Sequence, residues 1–193
     1  MKHTETRKVG TAGEWYVYDA IASAFDPKKE IEAIDFLDSN GIDLAFYANL
    51  PYLGRKKYGI SVKSRNTVTE SNSSLNLHPN DLLKCRQACA YRGLEPVFAF
   101  CVMGKDSIDL MVITLDALIT KSRSLYPKSR WTSPDYTDSS ELLSSAENRS
   151  KALPIKIRPA ERQSWVTQFG DSEGLLLIQR YERKTPHRYL HEQ

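Results

Sequence analysis

Two stretches constrain this chain more than anything else in it: Ile42-Asp43-Leu44-Ala45-Phe46-Tyr47 and Ile60-Ser61-Val62-Lys63-Ser64-Arg65. In the first, Ile42, Leu44 and Phe46 alternate with Asp43, Ala45 and Tyr47; in the second, Ile60 and Val62 alternate with Ser61, Lys63 and Arg65. A two-residue period belongs to a strand with one apolar and one polar face. Paired as a hairpin with Asp43 beside the 61 to 63 segment, the strands bring a carboxylate, a hydroxyl and an ammonium onto a patch about 7 Å long, two strand residues. The connector Asn49-Leu50-Pro51-Tyr52-Leu53-Gly54-Arg55-Lys56-Lys57 predicts an exposed loop. Its cations Arg55, Lys56 and Lys57, with Arg65, are candidate phosphate contacts.

The flanking sequence predicts further elements. Val17, Ile21, Ala24 and Phe25 form a helical stripe over residues 11 to 25, with Thr11 as N-cap, Glu14 three residues on, and Asp26-Pro27 as the stop. Residues 30 to 37 supply a first strand, and residues 66 to 77, rich in Ser, Asn and Thr, a loop. His78-Pro79-Asn80-Asp81 opens a helix to Tyr91 with Leu82, Cys85, Ala88 and Cys89 inward, ended by Gly93. Residues 97 to 103 and 107 to 114 then read as paired strands around a Gly104-Lys105-Asp106 turn, and Leu115 to Thr120 as a helical segment. From Ser122 to Ser150, Ser, Thr, Pro and charged residues dominate, with Lys128, Arg130 and Trp131 among them. Leu153 to Ile157 reads as an edge strand, and Gly174 to Tyr181 as a strand or short helix.

At 193 residues and 40% apolar content the chain can bury a core and is not of disordered composition. No stretch approaches the roughly 18 apolar residues that span a bilayer, and the first residues lack an apolar signal core, so a cytoplasmic protein with no membrane partner is expected. The three cysteines fit a reducing compartment. Cys85 and Cys89, four apart on a helix, could approach zinc with His78, but core packing is the ordinary reason for such a pair. No phosphate-cradling, dinucleotide-binding or nucleophile-elbow motif is present, so hydrolase-triad, nucleotide and nicotinamide readings lose their best support. The net charge is +3, and the basic excess falls after residue 121, a pattern compatible with nucleic-acid contact.

A helix with Gly13-Glu14, a strand with Gly41-Ile42-Asp43, a strand with Ser61-Val62-Lys63, then helix, strand and strand resemble, in residues and in order, the PD-(D/E)xK nuclease superfamily of restriction endonucleases and Holliday-junction resolvases. The likeness covers residues 10 to 121. It implies an α/β fold, a restriction-endonuclease-like core with a central mixed β-sheet flanked by helices, over residues 1–121; the change of composition at Ser122 makes residues 122–193 a C-terminal extension, partly irregular and expected to pack on that core. It also implies hydrolysis of DNA phosphodiester bonds with Mg2+ or Mn2+. Asp43 and the first residue of the triplet, here Ser61, stand at the metal-binding positions, and Lys63 positions or polarises the attacking water. Cutting two strands needs two active sites, which a homodimer would supply.

The chemistry has its own logic, since Mg2+ takes oxygen ligands and commonly only one or two protein carboxylates, and lysine offers a compact cation to the same phosphate. Ser61 stands where the family carries Asp or Glu, and a neutral hydroxyl is a poor replacement for an anionic ligand. Either Glu14, or Glu70, completes the metal site, with Ser61 binding through water, or the domain is a catalytically inactive module that binds DNA or protein in a defence, repair or mobile-element complex.

Overall fold

Strand β5 (Glu95–Met103) is buried from Val97 to Met103, and β6 (Ser107–Thr114) from Ile108 onward. Such continuous apolar runs belong to strands covered on both faces, and these two pair side by side in the interior of the sheet. The computed structural model describes residues 2–25, 31–39, 41–50, 54–67, 75–77, 79–125, 155–157, 170–171 and 173–182. Glu70, His78, Lys128, Arg130 and Trp131 lie outside them. The remaining elements are α1 (Lys2–Ala24), β1 (Ile31–Ser39), β2 (Ile42–Leu50), β3 (Gly54–Asn66), β4 (Leu75–Leu77), α2 (Pro79–Arg92), α3 (Leu115–Leu125), β7 (Ile155–Ile157) and β8 (Leu175–Glu182).

Six strands form one mixed sheet in the order β1-β2-β3-β5-β6-β8, and β4 pairs with β7 in a separate two-stranded ladder. The chain is thus an α/β protein with helices on both faces of its sheet. β1, β2 and β3 run antiparallel in sequence, β3 and β5 are parallel, and β6 is antiparallel to both β5 and β8. The parallel pair requires a crossover, and α2 lies in it.

Each face has its own core. Val17, Ala20 and Ile21 of α1 pack with Leu44, Phe46, Tyr58, Ile60, Val97, Ala99 and Cys101. On the other face Leu82, Cys85 and Cys89 of α2, with Leu115 and Leu118 of α3, pack with Ala45, Phe98, Phe100 and Met111. The spacing Val17, Ala20, Ile21 is the buried stripe of an amphipathic helix. α2 ends at Gly93, whose φ of 64° suits glycine. Leu94 N–H donates to Cys89 C=O at 2.9 Å and Gly93 N–H to Ala90 C=O at 3.3 Å, the paired bonds of a Schellman cap. α3 is capped by Thr114, whose Oγ1 accepts from Ala117 N–H at 3.4 Å.

Several expectations change. α1 begins at Lys2 rather than at a Thr11 cap, because the polar residues before Thr11 continue the helix. The connector after Asn49 is mostly strand: β2 runs to Leu50 and β3 starts at Gly54, so cross-strand pairing overrides the cations that suggested a loop. The polar 66 to 77 stretch contains β4, paired through Leu75↔Ile157 and Leu77↔Ile155. Gly174 to Tyr181 resolves as strand, with β8 hydrogen-bonded along β6 as the sixth member of the main sheet. Among the described residues, no helix is long and apolar enough to cross a membrane.

Tyr58 is 1% exposed and its ring stacks on Phe46 at 5.8 Å between centroids. Burial, helped by the nearby charge of Glu95, pushes its hydroxyl up to about 12. An unfolded tyrosine ionises near about pH 10. The stability this site contributes is therefore complete below pH 10 and is lost as pH rises through 12. Denaturant melts at pH 9 and 11.5 should show Tyr58→Phe losing about 2 kcal/mol less between the two than the wild type; equal losses would mean the hydroxyl ionises unhindered.

Candidate active site

The register of β3 with β5 decides which way the candidate residues face. Ser61, Lys63 and Arg65 stand opposite Phe98, Phe100 and Val102, all in the core beneath α2 and α3, whereas Val62 and Ser64 stand opposite Ala99 and Cys101 on the α1 face. Lys63 thus points to the α2 side. Its Nζ lies 2.9 Å from Asp81 Oδ1, each side chain about 30% exposed or slightly less. Asp81 occupies the first turn of α2, where the helix dipole favours a negative charge.

Asp43 reaches the same place from β2. The β2–β3 ladder ends at Leu44↔Ile60, and one residue beyond it Asp43 Oδ2 accepts the Val62 backbone N–H at 2.6 Å. A side-chain oxygen thereby serves an N–H donor of β3 just past the last ladder pair. The charge-assisted bond fixes the carboxylate next to the residue that precedes Lys63.

Cys85 packs below both groups. It is fully buried, its Sγ is 4.0 Å from that of Cys89, and both thiols belong to the core as free cysteines. The hydrogen bond with Cys89 and burial hold the Cys85 thiol well above the ordinary range; the charge of Asp43 pushes it further up while that of Lys63 opposes. Both charges are therefore within electrostatic reach of one buried sulfur.

Gly41 holds α2 against this end of the sheet. Its φ is 103°, and a Cβ there would come within 2.6 Å of the Lys84 carbonyl carbon and 2.9 Å of Cys85 N. The Gly41-Ile42-Asp43 turn needs glycine because the helix backbone occupies the space of a side chain.

Ser61 and Arg65 flank Lys63 on its own face of β3, whereas Glu14, Arg55, Lys56 and Lys57 lie away from it. Gly13 of α1 packs so closely on β3 that a Cβ would overlap the Ser64 side chain, which sets Glu14 on the helix covering the opposite face from Lys63; Glu14 is half-buried and makes interactions of its own. Ser61 is 3% exposed beneath α2. Arg65 follows Lys63 on the same face and is half-buried. Arg55 pairs with Glu32 at 2.7 Å, Lys56 with Glu95 at 3.2 Å, and Lys57 sits 6.0 Å from the Tyr47 ring centre. These three belong to the other end of β3, about 20 Å or more from Lys63 at 3.3 Å per residue.

Asp81 is the member that sequence reasoning missed. An acid in a first helical turn reads as dipole compensation and nothing more. The usable signal is topological: a helix crossing between parallel strands starts at the C-terminal end of the first strand, where ligand sites gather in open α/β sheets, and Lys63 is at that end of β3. Among the described residues no group of three or more His, Cys, Asp or Glu side chains gathers as a metal site; Asp81 pairs with the Lys63 ammonium, and Asp43 bonds the backbone N–H of the residue before it. Comparison with protein-family models, with curated proteins and with solved structures finds no match for the chain.

Two substitutions test the geometry. Asp43→Asn keeps an oxygen for the Val62 N–H and should melt close to wild type, whereas Asp43→Ala leaves that donor without its acceptor and should cost about 1–3 kcal/mol; equal denaturation midpoints for the two would count against the bond. Gly41→Ala meets both a left-handed φ and the α2 backbone, and a loss of about 2 kcal/mol or more is expected in the same assay.

Proposed function

We propose that this protein is a divalent-metal-dependent nuclease that hydrolyses DNA phosphodiester bonds at the Asp43, Lys63 and Asp81 cluster. The observation that carries the reading is the Lys63 ammonium held by Asp81 beside a carboxylate, Asp43, tied to the neighbouring backbone. The element order supports it too, with a helix, a three-strand antiparallel run bearing Asp43 and Lys63, a crossover helix and a parallel strand, the layout expected of a restriction-endonuclease-like core.

The donor set fits Mg2+ or Mn2+, which take one or two protein carboxylates and complete their shell with water and phosphate oxygens. On this reading Asp43 and Asp81 would hold the ion, Asp81 taking the place that the neutral Ser61 leaves without an acid. The ion supplies Lewis acidity toward the phosphoryl oxygens and toward water. Lys63 contributes a fixed positive charge to the phosphate on which negative charge develops, and Asp81 orients it in advance. Asp43, locked by Val62, keeps its position without reorganising.

The test is incubation of purified protein with linear, supercoiled, branched and single-stranded DNA, with Mg2+ or Mn2+ and with chelator. Metal-dependent cutting is expected, reduced about 100-fold or more by Lys63→Ala, Asp43→Asn and Asp81→Asn. Absence of metal-dependent cutting on every substrate, or cutting indifferent to Lys63→Ala, overturns the reading. The neutral, buried Ser61 favours one alternative, a nuclease-fold binding module; it predicts salt-sensitive DNA binding that persists in chelator without any cleavage.

A further inference from the structure

The end of the sheet away from Lys63 holds a cavity of about 640 Å³. Four parts of the chain meet there: the start of β3, the start of β5, the passage from β6 into α3, and the approach to β8. Tyr58 of β3 stands opposite Glu95 of β5, and Lys56, two residues earlier on the same face of β3, reaches Glu95 at 3.2 Å. Gly174 fits so closely against Thr114 and Ala117 that a Cβ would overlap Thr114 Oγ1, and Thr114 N–H donates to its carbonyl at 2.8 Å. That contact brings Glu173, the residue before Gly174, and Asp116, which lies between Thr114 and Ala117, into the lining of one cavity.

The charge of this lining is unequal. Glu95, Asp116, Asp171 and Glu173 set four carboxylates against the two ammonium groups of Lys56 and Lys121, although the chain as a whole carries +3. Both lysines are engaged, Lys56 with Glu95 and Lys121 with Asp171 at 2.6 Å, whereas Asp116 and Glu173 make no ion pair with a described residue. Exposed acids alone identify nothing, and the second observation is Tyr58. It is 1% exposed yet lines the cavity, and no hydrogen bond from a described residue reaches its hydroxyl. Buried hydroxyls are ordinarily bonded. This one keeps its proton well past neutral pH and offers the cavity a neutral oxygen. The volume falls within the range of small-molecule sites, about 300–1,000 Å³.

We infer that this cavity is a binding site for a small aliphatic diamine, whose two ammonium groups meet Asp116 and Glu173, with the Tyr58 hydroxyl as a neutral acceptor and Ala117 and Leu176 against the methylenes. The lining decides the class. An anion would face four carboxylates and two lysines that already have partners. A metal ion asks for several oxygen ligands at one point, and among the described residues no three such acids, histidines or cysteines gather. A wholly apolar ligand would cover charged groups without compensating them. Two spare acids in a cavity with an apolar wall suit two positive charges on a short hydrocarbon chain. The site goes beyond the nuclease reading and uses none of Asp43, Lys63 and Asp81.

The experiment titrates the full chain with 1,4-diaminobutane, n-butylamine, 1,4-butanediol and succinate at fixed ionic strength, by calorimetry and by thermal melting. The wild type should take up 1,4-diaminobutane at one saturable site and melt at a higher temperature with it. It should bind n-butylamine about fivefold more weakly and show no binding of 1,4-butanediol or succinate. Asp116→Asn, Glu173→Gln and Tyr58→Phe should each weaken diamine binding about fivefold, with folding checked by melting without ligand. Asp116 and Glu173 are exposed, so their variants carry the test even if Tyr58→Phe disturbs the core. Asp106→Asn removes an equal charge from the exposed turn between β5 and β6, at the other end of the sheet, and should bind as the wild type does. A wild type without saturable diamine binding overturns the site, as does succinate binding as tightly as the diamine. So does diamine binding that ignores both Asp116→Asn and Glu173→Gln, or that falls equally in Asp106→Asn, which would mark attraction to surface charge in general.

Discussion

The parallel pairing of β3 with β5 is the constraint on which the other features depend. Parallel neighbours cannot be joined by a tight turn, so the chain leaves the end of β3 and returns to the start of β5 by way of α2. That path brings the first turn of α2, and with it Asp81, to the end of β3 that holds Lys63. The same pairing sends Ser61, Lys63 and Arg65 to one face and Val62 and Ser64 to the other. Gly41 then sets how near α2 can lie, because its missing side chain is what admits the helix backbone.

Much of this was legible in the sequence, for reasons particular to certain stretches. The alternation around Asp43 and Lys63 revealed two strands because a half-buried strand must alternate. The unbroken Val97 to Met103 run revealed a doubly covered one, and Gly93 marked the end of α2 because only a glycine takes its φ without strain. Asp43 and Lys63 were recognisable as neighbours since a hairpin needs only local information. Their joint approach to Val62 and Cys85 follows from that hairpin once α2 is laid on it.

What stayed hidden depends on long-range partners. Nothing local in Leu75-Asn76-Leu77 announces a strand whose mate is Ile155–Ile157. The cations Arg55 and Lys56 looked like loop residues until Glu32 and Glu95 came alongside from other strands. Asp81 looked like an ordinary helix-starting acid because its lysine is 18 residues earlier and meets it only after the crossover forms.

The last strand has a consequence for how the molecule is made. β6 ends at Thr114 and β8, its outer neighbour, begins at Leu175, so the ribosome delivers β6 well before the strand that covers its edge. Closing a loop of that length costs entropy that grows only slowly with the number of residues, so the separation weighs more on the rate of assembly than on final stability. In the interval β6 presents an open, strongly apolar strand edge of the kind that recruits other chains. A form lacking β8 therefore leaves the buried, apolar β6 as an open edge, whereas with β8 paired the outermost strand on that side is one that is only half-buried.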